Sequence, residues 1–166
     1  LLKLVEELLD ATRLTNETLT IQPSPIDLRA VICGAIDAVT PAATLKGVAL
    51  HTTIPDALPE MTGDADRLRQ VFLNVLSNAI KFTDAGGAIE VCVGAIGDVA
   101  RVSIRDSGSG IASDELPHVF ERFRQGADAT PAQQGLGLGL TIARVLVELH
   151  GGTIQIASPG VNQGTS

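Results

Sequence analysis

The chain has 166 residues, enough for one domain with a sizeable core, and its formal charge of -7 excludes the basic surface that non-specific nucleic-acid binding requires. Hydrophobic residues make up 45% of it, yet there is no Trp, no Tyr and four Phe at 72, 82, 120 and 123, so the core must be built from Leu, Ile, Val and Ala. Cys33 and Cys92 lie in apolar segments without metal-ligand spacing and are expected to be buried thiols in a reducing compartment. No run reaches the ~18 apolar residues of a membrane span, and no signal-peptide layout opens the chain, so a soluble piece is expected. It reads as a fragment cut at both ends, starting in mid-helix and stopping at "NQGTS", where a strand is expected to follow.

Leu1, Leu4, Val5, Leu8, Leu9 and Thr12 fall at helical spacing, and residues 15–25, "TNETLTIQPSP", read as a linker with a short strand around Ile21. Asp27 is placed to cap a helix through Leu45, which Gly47 can close in the left-handed conformation. "VALHTTI", 48–54, alternates as a strand, and "PDALPEMTGD" reads as a loop. Asp64 caps the next expected helix, to about Thr83, and "AIEVCVGA" and "ARVSIRD" are strands joined around Gly97 and Asp98. Residues 107–139 are rich in Gly, Ser, Ala and Gln, as a binding loop would be, with short helical stretches at most. A helix over 140–150, stopped by Gly151 and Gly152, and the strand "TIQIAS" complete the pattern, which predicts an α+β layer with helices on one face of a sheet.

On the helix beginning at Asp64, Leu68, Val71, Phe72, Val75, Leu76 and Ala79 share a stripe, while Arg67, Gln70, Asn74, Asn78 and Lys81 gather opposite. Each Asn costs a helix interior roughly 0.6 kcal/mol relative to Ala, because its side chain competes for nearby backbone groups. A solvated face and a ligand site both fit this arrangement. A carboxamide can offer oxygen to a hard cation and N–H to a phosphate, with Lys81 supplying positive charge. "RDSGSGI" is either an ordinary turn or a close backbone approach to a ligand, in which Asp106 can accept from an amino group. "GLGLGL", leading into a helix, is either a connector or an anion site, and it lacks the ending of a P-loop. His51, His118 and His150 form no metal-ligand cluster and read as structural or surface residues.

Taken in order, these motifs resemble the catalytic, ATP-binding domain of sensor histidine kinases of two-component systems, whose fold is shared with type II topoisomerases and related ATPases. "DADRLRQVFLNVLSNAIKFT" is similar to the family's N box, "DSGSGI" to its first glycine box, "VFERF" to its F box and "GLGLGL" to its second glycine box; the final "GTS" resembles the start of a third. "LLKLVEELLDATRL" resembles the end of a dimerisation and phosphoacceptor helix. The resemblance implies a two-layer α/β sandwich of Bergerat type, with a dimerisation helix end at 1–15, a linker at 16–26 and a truncated catalytic domain at 27–166.

It also implies ATP and Mg2+ as cofactors, with Asn74, Asn78 and Lys81 in the catalytic set. Asn78 would hold the metal, Asn74 and Lys81 the phosphates, and Phe82 the pocket border. Asp106 would accept from the adenine amino group over a floor of Gly108, Gly110 and Ile111. Residues from about 124 to 139 would form a lid whose Gly135, Gly137 and Gly139 wrap the phosphates, with Phe123, Leu140 and Thr165 also at the nucleotide. The implied reaction is transfer of the γ-phosphoryl group to a histidine on the dimerisation domain of the same protein, a homodimer at full length, and then to a response regulator. A cytoplasmic domain is implied, leaving membrane anchorage of the full-length protein open. Water-using relatives carry a Glu one turn before the metal-binding Asn; Asn74 stands there, so hydrolysis is expected to be slow. No acceptor His followed by Glu and Pro is present, so self-phosphorylation of the fragment is not expected. The alternative is a degenerate, non-enzymatic nucleotide-binding regulatory module.

Overall fold

The structure, a computed structural model, describes residues 19–123 and 136–166. The helix expected at the N-terminus, the first residues of the linker, and Arg124 and Gly135 of the expected lid lie outside the described residues. Helix α1 spans Leu28–Lys46 and α2 spans Ala65–Phe82. Both start at aspartates that satisfy an otherwise orphaned helical N–H: Asp27 accepts from Ala30 N and Asp64 from Arg67 N, each at 3.1 Å. Gly47, at φ 73°, closes α1 in the left-handed region and donates to Ala43 O and Thr44 O, as its position after Lys46 predicts.

Strand β1, Ser24–Ile26, pairs antiparallel with β3, Met61–Gly63, as a separate two-stranded sheet. The main sheet has the order β2 (Ala49–Thr53), β4 (Ala88–Ile96), β5 (Val99–Asp106). β2 runs parallel to β4, which requires a long crossover, and α2 lies in it; β4 and β5 form a hairpin that turns at Gly97 and Asp98. The sheet is therefore mixed. Alternation along β4 turns Ile89, Val91 and Val93 inward against α1 and α2, where Ile32, Ala35, Ile36, Leu68, Phe72 and Leu76 meet them in the main core. Glu90 and Cys92 face outward with Arg101, Ser103 and Arg105, so helices cover one face only.

A second apolar cluster joins α2 to α3, Gly139–Leu149, through Val71, Leu138, Ile142, Ala143 and Leu146. Leu19 is buried in the same cluster, with Ile21 packed against it.

Several expectations need correction. Cys92 is exposed because alternation along β4 turns it away from the core, and Cys33 is only partly buried because it stands beside the buried stripe of α1 rather than in it. The strand placed around Ile21 lies at Ser24–Ile26, and part of the expected loop before Asp64 is its partner; three-residue strands are specified by each other, not by local pattern. Residues 153–158 are not a strand despite their alternation. Of these residues, Ala157 pairs with Ser166, exchanging N–H and C=O at 2.8 Å. By length and composition α1 could cross a membrane, contrary to expectation, but Leu28, Ile32, Ala35, Ile36, Val39 and Ala43 place it in the core.

Candidate functional site

The polar side of α2 meets α3 and the glycine-rich turn after β5. Asn74 is 7% exposed, and its Nδ2 donates to Gly139 O at 3.1 Å, so this carboxamide ties the end of the second glycine box, where α3 begins, to α2 and keeps its oxygen free of that bond. Asn78, one turn on and half-buried, has no side-chain hydrogen bond among the described residues, which leaves both its oxygen and its amide for a ligand. Lys81 places Nζ 4.6 Å from the centre of the Phe82 ring.

The turn Asp106–Gly110 is wedged against the end of α2. Gly108 N donates to Asp106 Oδ1 at 2.8 Å and Ser109 N donates to Phe82 O at 3.0 Å. A Cβ on Gly108 would lie 2.3 Å from Phe82 O, so this approach of backbone to backbone requires glycine. Gly110, at φ +64°, abuts the loop 158–166: a Cβ there would lie 2.0 Å from Gly160 O. That loop straps the turn in place. Asp106 and Thr165 exchange backbone hydrogen bonds at 2.8 and 3.2 Å, Gly164 N donates to Gly108 O at 3.1 Å, and Ile111 N donates to Ser158 Oγ at 3.0 Å. Burial pushes the Asp106 carboxyl above the usual carboxylate range, overcoming the opposing pull of the Gly108 and Thr165 backbone bonds. A carboxylate in this position is a strong acceptor with a free oxygen for a ligand N–H.

The F box and the second glycine box are joined directly. Phe123 N donates to Gly137 O at 3.1 Å, and Thr141 Oγ1 donates to Phe120 O at 2.8 Å. Phe123 holds φ +60° and is 66% exposed, so its ring stands at the rim rather than in the packed wall. Leu140 is half-buried in the first turn of α3. The structure thus brings together all the predicted site segments except Gly135, which lies outside the described residues.

Among the described residues no group of three or more His, Cys, Asp or Glu could hold a metal alone, so a cation here would be shared between Asn78 and the oxygens of a ligand. Side chains that sequence reasoning missed are Thr141, Ser158 and Lys46, whose bonds span the chain. His150, read as structural or surface, accepts from Asp64 N at 2.9 Å and so helps seat the start of α2.

Residues 63–166 match the family profile described as histidine kinase-, DNA gyrase B- and HSP90-like ATPase. The chain is 37% identical over 156 residues to the sensor histidine kinase ZraS of Escherichia coli K12, covering 94% of this chain and 32% of that protein. It is 34% identical over 166 residues to the adaptive-response sensory kinase SasA of Synechococcus elongatus, covering 99% and 42%. Among solved structures, full-length ShkA in complex with AMPPNP superposes with a TM-score of 0.83 at 32% identity, covering 99% of this chain and 34% of that one. The mycobacterial sensor histidine kinase MprB gives 0.73 at 31% identity, covering 86% and 93%. The chain therefore spans less than half the length of these two curated relatives. On its sequence motifs, its mixed sheet under one layer of helices and these matches, it belongs to the histidine kinase-, DNA gyrase B- and HSP90-like ATPase family, as a catalytic domain of the sensor histidine kinase type.

Proposed function

We propose that the domain binds Mg-ATP between α2, the Asp106 turn and the start of α3, and that the whole protein transfers the γ-phosphoryl group to a histidine on its own dimerisation domain. The observation that carries this reading is the pairing of a half-buried Asp106 carboxylate, locked between α2 and the 158–166 loop, with the Asn78 carboxamide on α2, which has no hydrogen bond among the described residues. That ShkA, to which this chain is similar over 99% of its length, was solved in complex with AMPPNP supports a nucleotide ligand.

In this reading Asp106 accepts from the adenine amino group, and Gly108, Gly110 and Ile111 let the base lie against backbone. Phe82 borders the base, and Thr165 holds Asp106 from behind. Asn78 gives its oxygen to the metal and Lys81 faces the phosphates, while Asn74 holds Gly139 so that Gly137, Gly139 and Leu140 present the start of α3 to them. Gly135 and Phe123 complete the phosphate side and its rim. Magnesium held by Asn78 would supply positive charge to offset the charge that develops in phosphoryl transfer. Catalysis by the chain itself is positioning and charge neutralisation. Asn74 stands where a water-activating carboxylate would be needed, and a carboxamide is no base, so the γ-phosphoryl group is kept for a protein acceptor. The proposed partners are the dimerisation domain of the same homodimeric protein and a response regulator, with the domain in the cytoplasm.

Calorimetric titration with AMPPNP, with and without magnesium, tests the site in wild type and Asn78→Ala. Magnesium-dependent binding that the variant loses is expected. Absence of binding by the wild-type chain, or magnesium-dependent binding that survives in the variant, overturns the assignment. Phosphotransfer to a supplied dimerisation domain tests the reaction, and rapid phosphate release without transfer would identify a water-using ATPase instead.

A further inference from the structure

An α-helix ends with four carbonyls that lack helical donors. At the end of α2 the carbonyls of Ile80, Lys81 and Phe82, which lack helical donors, all find partners outside the helix, and these single out one side chain. Ala79 O accepts from Thr83 N at 3.1 Å and from Thr83 Oγ1 at 2.8 Å, and Phe82 O accepts from Ser109 N at 3.0 Å. Ile80 O and Lys81 O both accept from the Nζ of Lys46, at 2.8 and 2.7 Å. Lys46 is the last residue of α1, whose own end is already closed by Gly47 N. Its ammonium is therefore committed to the neighbouring helix.

We propose that Lys46 is a positioning residue for the phosphate side of the site, holding the turn of α2 that carries Lys81 and Phe82, one turn beyond Asn78. The assignment rests on the Mg-ATP reading. Two physical effects act together. Charge-assisted hydrogen bonds to successive carbonyls keep the last turn helical and fix the direction in which Lys81 leaves the backbone. The C-terminal end of a helix also carries roughly half a negative charge, which would oppose an arriving phosphate, and an ammonium seated on those carbonyls offsets it. The side chain is half-buried, which limits the competition of water for its two acceptors. The dependence should consequently grow with the charge of the ligand.

The test compares wild type, Lys46→Met, Lys46→Gln and Lys46→Arg for binding of Mg-AMPPNP and of adenosine, the latter followed by NMR shifts. Lys46→Met is expected to weaken Mg-AMPPNP about tenfold while adenosine changes by less than about twofold. Lys46→Arg, which keeps the charge and two donors, is expected to restore most of the loss; Lys46→Gln, without charge, is not. If Lys46→Met is too unstable to titrate, the Gln and Arg variants carry the same comparison. Equal losses for both ligands would overturn the assignment in favour of a general structural role, as would wild-type affinity in Lys46→Gln. Failure of the wild-type chain to bind either ligand would instead overturn the nucleotide reading, and this assignment with it.

Discussion

Replacing Asp106 with Asn should move ligand affinity and folding stability in opposite directions, which few substitutions do. Asp106 Oδ1 already accepts from Gly108 N at 2.8 Å, so in the proposed complex the adenine amino group would be left with Oδ2. In Asp106→Asn the single carboxamide oxygen is needed for Gly108 N, and the atom facing the ligand becomes an NH2, a donor against a donor. Leaving a buried polar group unpaired costs about 1–3 kcal/mol, so affinity for AMPPNP should fall by about ten- to a hundredfold. The folded chain meanwhile sheds a carboxylate whose ionisation burial disfavours. With the folded pKa raised, the native state binds more protons than the unfolded state above the ordinary value of 3.8. Wild-type stability therefore falls as pH rises through that window, and the cost persists at neutral pH. Without ligand, Asp106→Asn should melt at or above the wild-type temperature at pH 7, and the difference should vanish below the ordinary carboxylate pKa. Calorimetric titration and thermal unfolding at pH 7 and at low pH read both arms. Affinity within threefold of wild type would remove Asp106 as the base-recognising acceptor, and a clearly lower melting temperature at pH 7 would show that its charge is compensated in the fold.

Gly110→Ala should lose about 1–3 kcal/mol in chemical denaturation, because its Cβ meets Gly160 O and its φ is positive, whereas Gly34→Ala, with open space on an exposed helical face, should gain up to about 1 kcal/mol. Asp64→Ala should lose about 1–2 kcal/mol at pH 7, since it removes the cap of α2. Slight burial raises the Asp64 carboxyl, but bonds from Gln22 N and Arg67 N and the Arg67 charge outweigh it and hold the group below the ordinary value of 3.8. Its contribution is thus present above that value and disappears as pH falls through the folded pKa, so the difference between wild type and variant in thermal unfolding should shrink in acid.

The helix boundaries were legible because they are set locally: Asp27, Asp64 and Gly47 act within one turn of the ends that they close. The hairpin at Gly97 and Asp98 was legible for the same reason. What escaped was decided by partners distant in sequence. β1 and β3 exist only because they pair, and the alternating residues 153–158 lack a ladder. The polar side of α2 was also harder to divide than its composition suggested. Asn74 and Asn78 look equivalent in sequence, yet one is packed under Gly139 and the other carries no hydrogen bond among the described residues, a difference made by where α3 lands. Lys46 looks like the usual basic residue at the end of its own helix, and nothing local signals that its acceptors lie 34 and 35 residues away.

The strap from Ser158 to Thr165 also bears on the order in which the protein can be built. The helices α1 and α2 and all three strands of the main sheet are complete once Asp106 has been made. The bonds that fix the Asp106 turn require Ser158, Gly164 and Thr165, and Asn74 waits for Gly139, 65 residues downstream. At ~5–20 residues per second of synthesis, the sheet and its two covering helices emerge seconds before the proposed nucleotide pocket can close. Early folding must therefore proceed without ligand, and the free energy of ligand binding is added only to chains translated through Thr165. Nucleotide would then act late, stabilising chains in which the strap has formed over those in which it has not.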